Sequence, residues 1–166
     1  AARQAGALRS VSEALKRDMV AMGMDETRIF VNYTGVDAAL FHPRPRVEAR
    51  AAVADIAPVD GTLLVSVGNL IPLKGQHLVI EALAGLPGMR LVCAGKGPEA
   101  ENLAALAARL GLSDRVHLPG SLPPERIANL VAAASAMVLP SEREGLANAW
   151  VEALACGTPI VITDVG

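Results

Sequence analysis

Ala136-Met137-Val138-Leu139-Pro140, running into Ser141-Glu142-Arg143-Glu144-Gly145-Leu146-Ala147-Asn148-Ala149-Trp150-Val151-Glu152-Ala153-Leu154-Ala155-Cys156-Gly157, is the stretch whose reading decides the fold. The apolar run reads as a buried strand ended by a proline. Residues 149–155 favour helix by propensity, and Gly157 then Pro159 supply the stop. Strand, polar loop and helix therefore follow one another, with Glu144 at the loop's end and Glu152 on the helix. At ~1.5 Å rise per residue, carboxylates at this spacing lie ~12 Å apart along a helix axis. The backbone N–H groups around Leu146, Ala147 and Asn148 lack intrahelical partners and carry the positive end of the helix dipole. They suit a phosphate or a ring of hydroxyls. Taken alone, two acids on such a segment equally describe a solvated helix face.

Outward from this stretch, strands and helices alternate. Strands are expected at 62–67, 89–94, 115–118, 136–139 and 159–162, and helices at 76–86, 98–110 and 124–134. The 76–86 helix places Leu78, Val79, Ala82 and Leu83 on one face, and Pro98 opens the next helix at its first position. Near-continuous apolar strands between helices predict a parallel sheet covered on both faces. The fold class is α/β, a Rossmann-like doubly wound sheet with ligands at the carboxyl ends of the strands. Earlier in the chain, 7–11 reads as a short strand. Ser12 reads as the N-cap of a helix over 13–22 stopped by Gly23. A strand at 28–33, an extended proline-bearing linker (Phe41-His42-Pro43-Arg44-Pro45) and a helix at 47–56 follow.

A chain of 166 residues allows one domain with a sizeable core. Aromatics make up 2% of it, so that core is expected to be built from Ala, Leu, Val and Ile. The net charge of −2 argues against nucleic acid or an anionic membrane recognised by bulk charge. Cys93 and Cys156 have neither metal-ligand nor disulfide-framework spacing, which points to reduced thiols and a cytoplasmic setting. No apolar run reaches membrane-spanning length and no signal peptide opens the chain. Ala1-Ala2-Arg3 begins without Met and Val165-Gly166 ends just after a strand, so both ends read as cuts through a longer protein.

Three carboxyl-end loops are the candidates for chemistry. Gly68-Asn69-Leu70-Ile71-Pro72-Leu73-Lys74-Gly75 combines glycines that permit close backbone approach with a lysine suited to a diphosphate; a solvated lysine is the competing reading. Gly95-Lys96-Gly97-Pro98-Glu99 matches a dinucleotide fingerprint in part, since Ala100 fills the place of a third glycine; a tight strand-to-helix turn competes. Pro119-Gly120-Ser121-Leu122-Pro123-Pro124 exposes backbone groups able to meet a nucleobase edge. His42 reads as a linker residue and His77 as a solvated or capping one. His117 reads as a satisfied strand histidine, and Trp150 as packing against the sheet. No hydrolytic triad is legible.

In order, these pieces closely resemble the family-4-type (group 1), retaining, nucleotide-sugar-dependent glycosyltransferases of the two-Rossmann-domain GT-B architecture. The resemblance is carried by Ser10-Val11-Ser12 with Leu15-Lys16, and by Thr34-Gly35-Val36-Asp37 with Phe41-His42-Pro43. It continues through Val67-Gly68-Asn69-Leu70 with Lys74-Gly75, Gly95-Lys96-Gly97-Pro98-Glu99, and Val116-His117-Leu118-Pro119-Gly120. Pro140-Ser141 with Glu144-Gly145-Leu146-Ala147-Asn148, Glu152-Ala153, and Cys156-Gly157-Thr158-Pro159 complete it. It implies that residues 1–25 are the end of an N-terminal acceptor domain and linker. Residues 26–166 are then a donor-binding domain lacking its C-terminal end.

The implied reaction moves a hexose from a UDP- or GDP-linked donor to an acceptor held by the missing domain. No metal or other cofactor is implied. The missing half also leaves room for peripheral membrane contact. By resemblance Lys74 holds the donor diphosphate, Glu152 takes the ribose hydroxyls, and the backbone of Leu122 meets the base. Glu144, with Gly145, Leu146, Ala147 and Asn148, faces the sugar and distal phosphate, so Glu144 and Lys74 are the catalytic candidates. Gly68, Asn69 and Gly97 line the donor. Asn69 stands where many members carry a second phosphate-binding Arg, and Ala147 replaces a common Gly. A non-catalytic nucleotide-binding module and a sugar-nucleotide epimerase of related fold are the alternatives. The fragment alone is expected to be inactive, with residues up to about Met22 dangling, mispacked or paired between chains.

Overall fold

The computed structural model describes residues 5–57 and 60–165. The first four residues of the segment read as a domain remnant therefore lie outside the described residues. Two strands, β1 (Leu8–Ser10) and β2 (Ile29–Val31), pair in parallel with each other and not with the larger sheet. Between them runs α1 (Glu13–Ala21), capped by the Ser12 hydroxyl, which accepts from the Leu15 N–H at 3.1 Å. The opening segment is thus paired within its own chain rather than dangling. Nevertheless α1 buries none of its side chains.

A helix α2 (Arg46–Ala52) leads into the main sheet. It stops short of residue 56, where the chain passes instead into turns. Then come β3 (Thr62–Val67), α3 (Gln76–Leu83), β4 (Met89–Ala94), α4 (Ala100–Arg109) and β5 (Val116–Gly120). The last four are α5 (Pro124–Ala133), β6 (Ala136–Leu139), α6 (Asn148–Ala155) and β7 (Ile160–Ile162). The five strands from β3 onward form one parallel sheet in the order β5-β4-β3-β6-β7.

Alternation along the strands explains why both faces are covered. Leu63, Val65, Val92, Ala94, Met137 and Leu139 point into a core shared with residues of α2, α5 and α6, including Ala49, Ala128, Trp150 and Ala153. Leu91 and Cys93 point the other way, into a core with Val79, Ile80 and Leu83 of α3 and Leu103, Leu106 and Ala107 of α4. With so few aromatics, Ala-rich faces on α5 and α6 let the helices sit close to the strands. Trp150 packs into this first core at 7% exposure.

Two helix readings change. The buried residues of α3 are Gln76, Val79, Ile80 and Leu83, while Leu78 and Ala82 are exposed. Pro98 lies in a turn before α4 rather than at its first position, because Glu99 is the cap.

Candidate functional site

Chain connectivity singles out one place in the sheet. From β3 the chain moves outward to β4 and β5, then returns to lay β6 on the opposite side of β3. Loops leaving the carboxyl ends of β3 and β6 therefore diverge to opposite faces, and a crevice opens between them. Residues 68–75 form the first of these loops and 140–147 the second. They are tied together by a hydrogen bond from the Glu142 N–H to the Leu73 carbonyl at 2.9 Å. Gly75 has φ +68°, and a Cβ there would lie 2.3 Å from the Pro140 carbonyl oxygen. Only glycine allows the two loops this close.

The consequence is that Lys74 and Glu144, far apart in sequence, meet. The Lys74 ammonium bonds the Glu144 carboxylate, with the side chains only 19% and 10% exposed. The Ser141 hydroxyl donates to the same carboxylate oxygen at 2.9 Å. Ser141 is itself fully buried, and its carbonyl accepts from the Thr163 hydroxyl just beyond β7. Lys74 is therefore not a lone cation. Ser141 and Thr163 had no role in the sequence reading, although Ser141-x-x-Glu144 has a spacing that places the two residues within reach of each other around a turn.

Beyond Glu144 the loop runs to α6, whose first residue is Asn148 and whose cap, Ala147, offers no side-chain hydrogen bond. The N–H groups of Gly145, Leu146 and Ala147 likewise donate to nothing among the described residues. Together with the start of α6 they present several free donors. Because the helix begins only at Asn148, helical rise does not measure the Glu144–Glu152 separation; four of the intervening steps belong to irregular loop. Glu152, on α6, is half-buried, and its carboxylate has no hydrogen-bond or ion-pair partner among the described residues. Burial alone raises its pKa above the ordinary carboxylate value.

The remaining residues take their places around this centre. Asn69 is exposed, and its carbonyl accepts from the Nε2 of buried Gln76 at 3.1 Å. Gly97 packs so closely on the 68–75 loop that a Cβ would lie 2.1 Å from the Leu70 carbonyl oxygen. Its glycine thus has a packing reason independent of any ligand. A Cβ at Gly68 would meet open space, although the Gly68 carbonyl packs against Gly95. Leu122 is partly buried and packs against the core that α5 shares with the sheet. His117 is a correction: its Nε2 is buried with no partner, and burial, helped by the nearby Arg90 charge, pushes its pKa down. His42 is exposed in the linker, with its Nδ1 3.1 Å from the Pro43 carbonyl. Among the described residues no group of three or more His, Cys, Asp or Glu side chains could hold a metal.

A cavity of about 740 Å³ lies on one side of the Glu144 loop. It is walled by Glu142, Arg143, Glu144 and Gly145 from that loop and by Leu15, Asp18, Ala21 and Met22 from α1. Gly145 also faces Val11, whose Cγ2 would lie 3.0 Å from a Cβ at that position. The small β1–α1–β2 unit thus packs against the loop that carries Glu144.

Comparison with known proteins fits this arrangement. The family described as "Glycosyl transferases group 1" matches residues 53–166. D-inositol 3-phosphate glycosyltransferases of Mycobacterium bovis and Mycobacterium tuberculosis are 42% identical over 153 residues, covering 87% of this chain. The match covers 31% of those relatives, so the chain spans about a third of their length. Among solved structures, the Anabaena HepE protein in complex with UDP and glucose superimposes with a TM-score of 0.90 at 27% identity. That match covers 99% of this chain and 46% of the other. Sucrose-phosphate synthase from Thermosynechococcus elongatus gives 0.87 at 27% identity, over 99% of this chain and 42% of the other. A doubly wound sheet of GT-B type, a switch-point crevice holding a lysine and a glutamate, and a family match over most of the sequence agree: this chain belongs to the group 1 glycosyl transferases.

Proposed function

We propose that this chain is the donor-binding part of a retaining glycosyltransferase that moves a hexose from a nucleoside-diphosphate sugar to an acceptor bound elsewhere. The observation that carries the reading is the convergence of Lys74, Glu144 and the unbonded N–H groups before α6 at the sheet's switch point. In this reading residues 1–25 belong to the end of an acceptor domain and 26–166 to the donor domain. A neighbour solved with UDP and glucose supports a uridine nucleotide as the first donor to try. Both cysteines are free and buried, which accords with a reducing, cytoplasmic setting. None of the described helices is long and apolar enough to cross a membrane.

The chemistry follows from charge. The anomeric C–O bond breaks, its electron pair goes to the distal phosphate oxygen, and the sugar becomes oxocarbenium-like. Lys74 and the donors at the start of α6 stabilise the departing diphosphate, a preorganised arrangement that requires no metal. The acceptor hydroxyl attacks from the face the phosphate leaves, and its proton passes to that phosphate. Glu144 steadies the sugar, and Glu152 accepts hydrogen bonds from the ribose.

Calorimetric titration with UDP and GDP tests the reading. Lys74→Ala removes a charge-assisted hydrogen bond to the diphosphate and is expected to weaken binding by about 10- to 100-fold, and Glu152→Ala by about tenfold. Nucleotide binding that neither substitution weakens would refute the site.

A further inference from the structure

We propose that Glu144 is an internal stand-in for the donor's diphosphate. It neutralises Lys74; the donor displaces it toward the sugar, and its return expels the nucleoside diphosphate after transfer. Ser141, braced by Thr163, is the positioning residue that sets it for this exchange. The inference rests on the donor-site reading above.

The observations are the burial of most of the ion pair, whose side chains are 19% and 10% exposed, and the way it is held. The lysine side chain is four-fifths covered, and an anion lies directly against its ammonium. Glu144 supplies that anion from the other switch-point loop, and one of its oxygens accepts from both Lys74 and Ser141. Thr163 in turn holds the Ser141 carbonyl, so the seat of the carboxylate is fixed from β7 as well as from β6. A diphosphate reaching the Lys74 ammonium meets this carboxylate, and like charges in a largely desolvated site repel strongly. Glu144 must turn away, and the cavity its loop already lines gives it somewhere to turn.

What it meets there depends on the ligand. With an intact donor, the freed carboxylate accepts hydrogen bonds from sugar hydroxyls. With the nucleotide alone it has neither Lys74 nor a sugar, and it competes to return. Glu144 therefore acts with opposite sign on substrate and product: it aids the sugar nucleotide and opposes the bare nucleotide. After transfer, the same competition drives release.

The experiment is calorimetric titration of the chain with UDP and with UDP-glucose, using wild type, Glu144→Gln, Ser141→Ala and Lys74→Ala. Glu144→Gln keeps the side chain's shape and removes the competing charge. It is expected to tighten UDP about tenfold, equal to ~1.4 kcal/mol, while leaving UDP-glucose unchanged or weaker. Ser141→Ala is expected to move the UDP to UDP-glucose affinity ratio the same way by a smaller factor, which a merely structural serine would not do. That variant carries the test alone should Glu144→Gln fail to fold. If Lys74→Ala weakens UDP but the Glu144 and Ser141 variants leave the ratio unchanged, the exchange is refuted and the donor site stands. If UDP binds and Lys74→Ala does not weaken it, the exchange is refuted; if Glu152→Ala does not weaken it either, or if neither wild type nor any variant binds either nucleotide, the donor-site reading falls with it.

Discussion

The Glu152 carboxylate sits half-buried on α6 with no cation or donor against it, and burial holds its pKa above its ordinary value of 4.5. The folded state therefore binds that proton more tightly than the unfolded chain does. Protonated Glu152 favours the fold at low pH, and this contribution is lost as pH rises from the ordinary value through the raised one. At neutral pH the charged residue costs stability, a pattern expected where a group is kept for a ligand rather than for the fold. Solvent screening of a half-exposed group keeps that cost below ~1 kcal/mol. Glu152→Gln should then raise the melting temperature by about 1–3 °C at pH 7 and leave it unchanged near pH 4, while weakening nucleotide binding. A thermal shift series against pH, read beside a UDP titration, checks both halves. A fall in melting temperature at pH 7 would mean that Glu152 is a structural residue.

At the scale of elements, the closeness of the 68–75 and 140–147 loops decides whether a site exists. Gly75 is where they touch: it combines a left-handed backbone with a carbonyl oxygen 2.3 Å from where a Cβ would stand. Gly75→Ala therefore meets both a conformational cost of about 1–3 kcal/mol and a collision with rigid backbone. Urea denaturation should show a loss of at least ~2 kcal/mol, with Lys74 no longer seated on Glu144. An unchanged midpoint would mean that the loops separate freely. This contact was illegible in the sequence, because nothing local links Gly75 to Pro140; the sheet order brings them together. The strands β3, β4 and β6 were legible to the residue because burial on both faces leaves short, mostly apolar runs, broken only by Thr62 and Ser66 in β3 and Arg90 in β4. The face of α3 was misread for a related reason. Apolar residues surround that helix, so periodicity could not tell exposed Leu78 from buried Ile80, nor anticipate that Gln76 turns inward to bond the Asn69 carbonyl. Lys74, Glu144 and Glu152 were legible as candidates from residue type and spacing, but the Lys74–Glu144 pairing was not.

For the whole molecule, cohesion is unevenly distributed. In the centre of the main sheet, β3 has a neighbour on each side, and Leu63, Val65, Leu91 and Val92 have no exposure at all. By contrast β1 and β2 are three residues each and pair only with one another, while α1 buries no side chain. Parts held by so little buried area open locally at low cost, whereas the central strands open only with global unfolding. Amide hydrogen exchange should therefore show β3 and β4 protected at least ~100-fold more than β1 and β2, a gap of roughly 3 kcal/mol in opening free energy. The short unit is nonetheless in contact with the site, since Val11 and Leu15 lie against Gly145 and α1 walls the cavity beside Glu144. A sugar nucleotide that orders the Glu144 loop should thus slow exchange at Gly145–Asn148 and, through Gly145, in α1, while the already protected β4 changes little. Exchange measured with and without UDP-glucose tests this coupling. If β1 and β2 exchange as slowly as β3, the two parts unfold as one; if the ligand protects the loop but not α1, the contact at Gly145 transmits nothing.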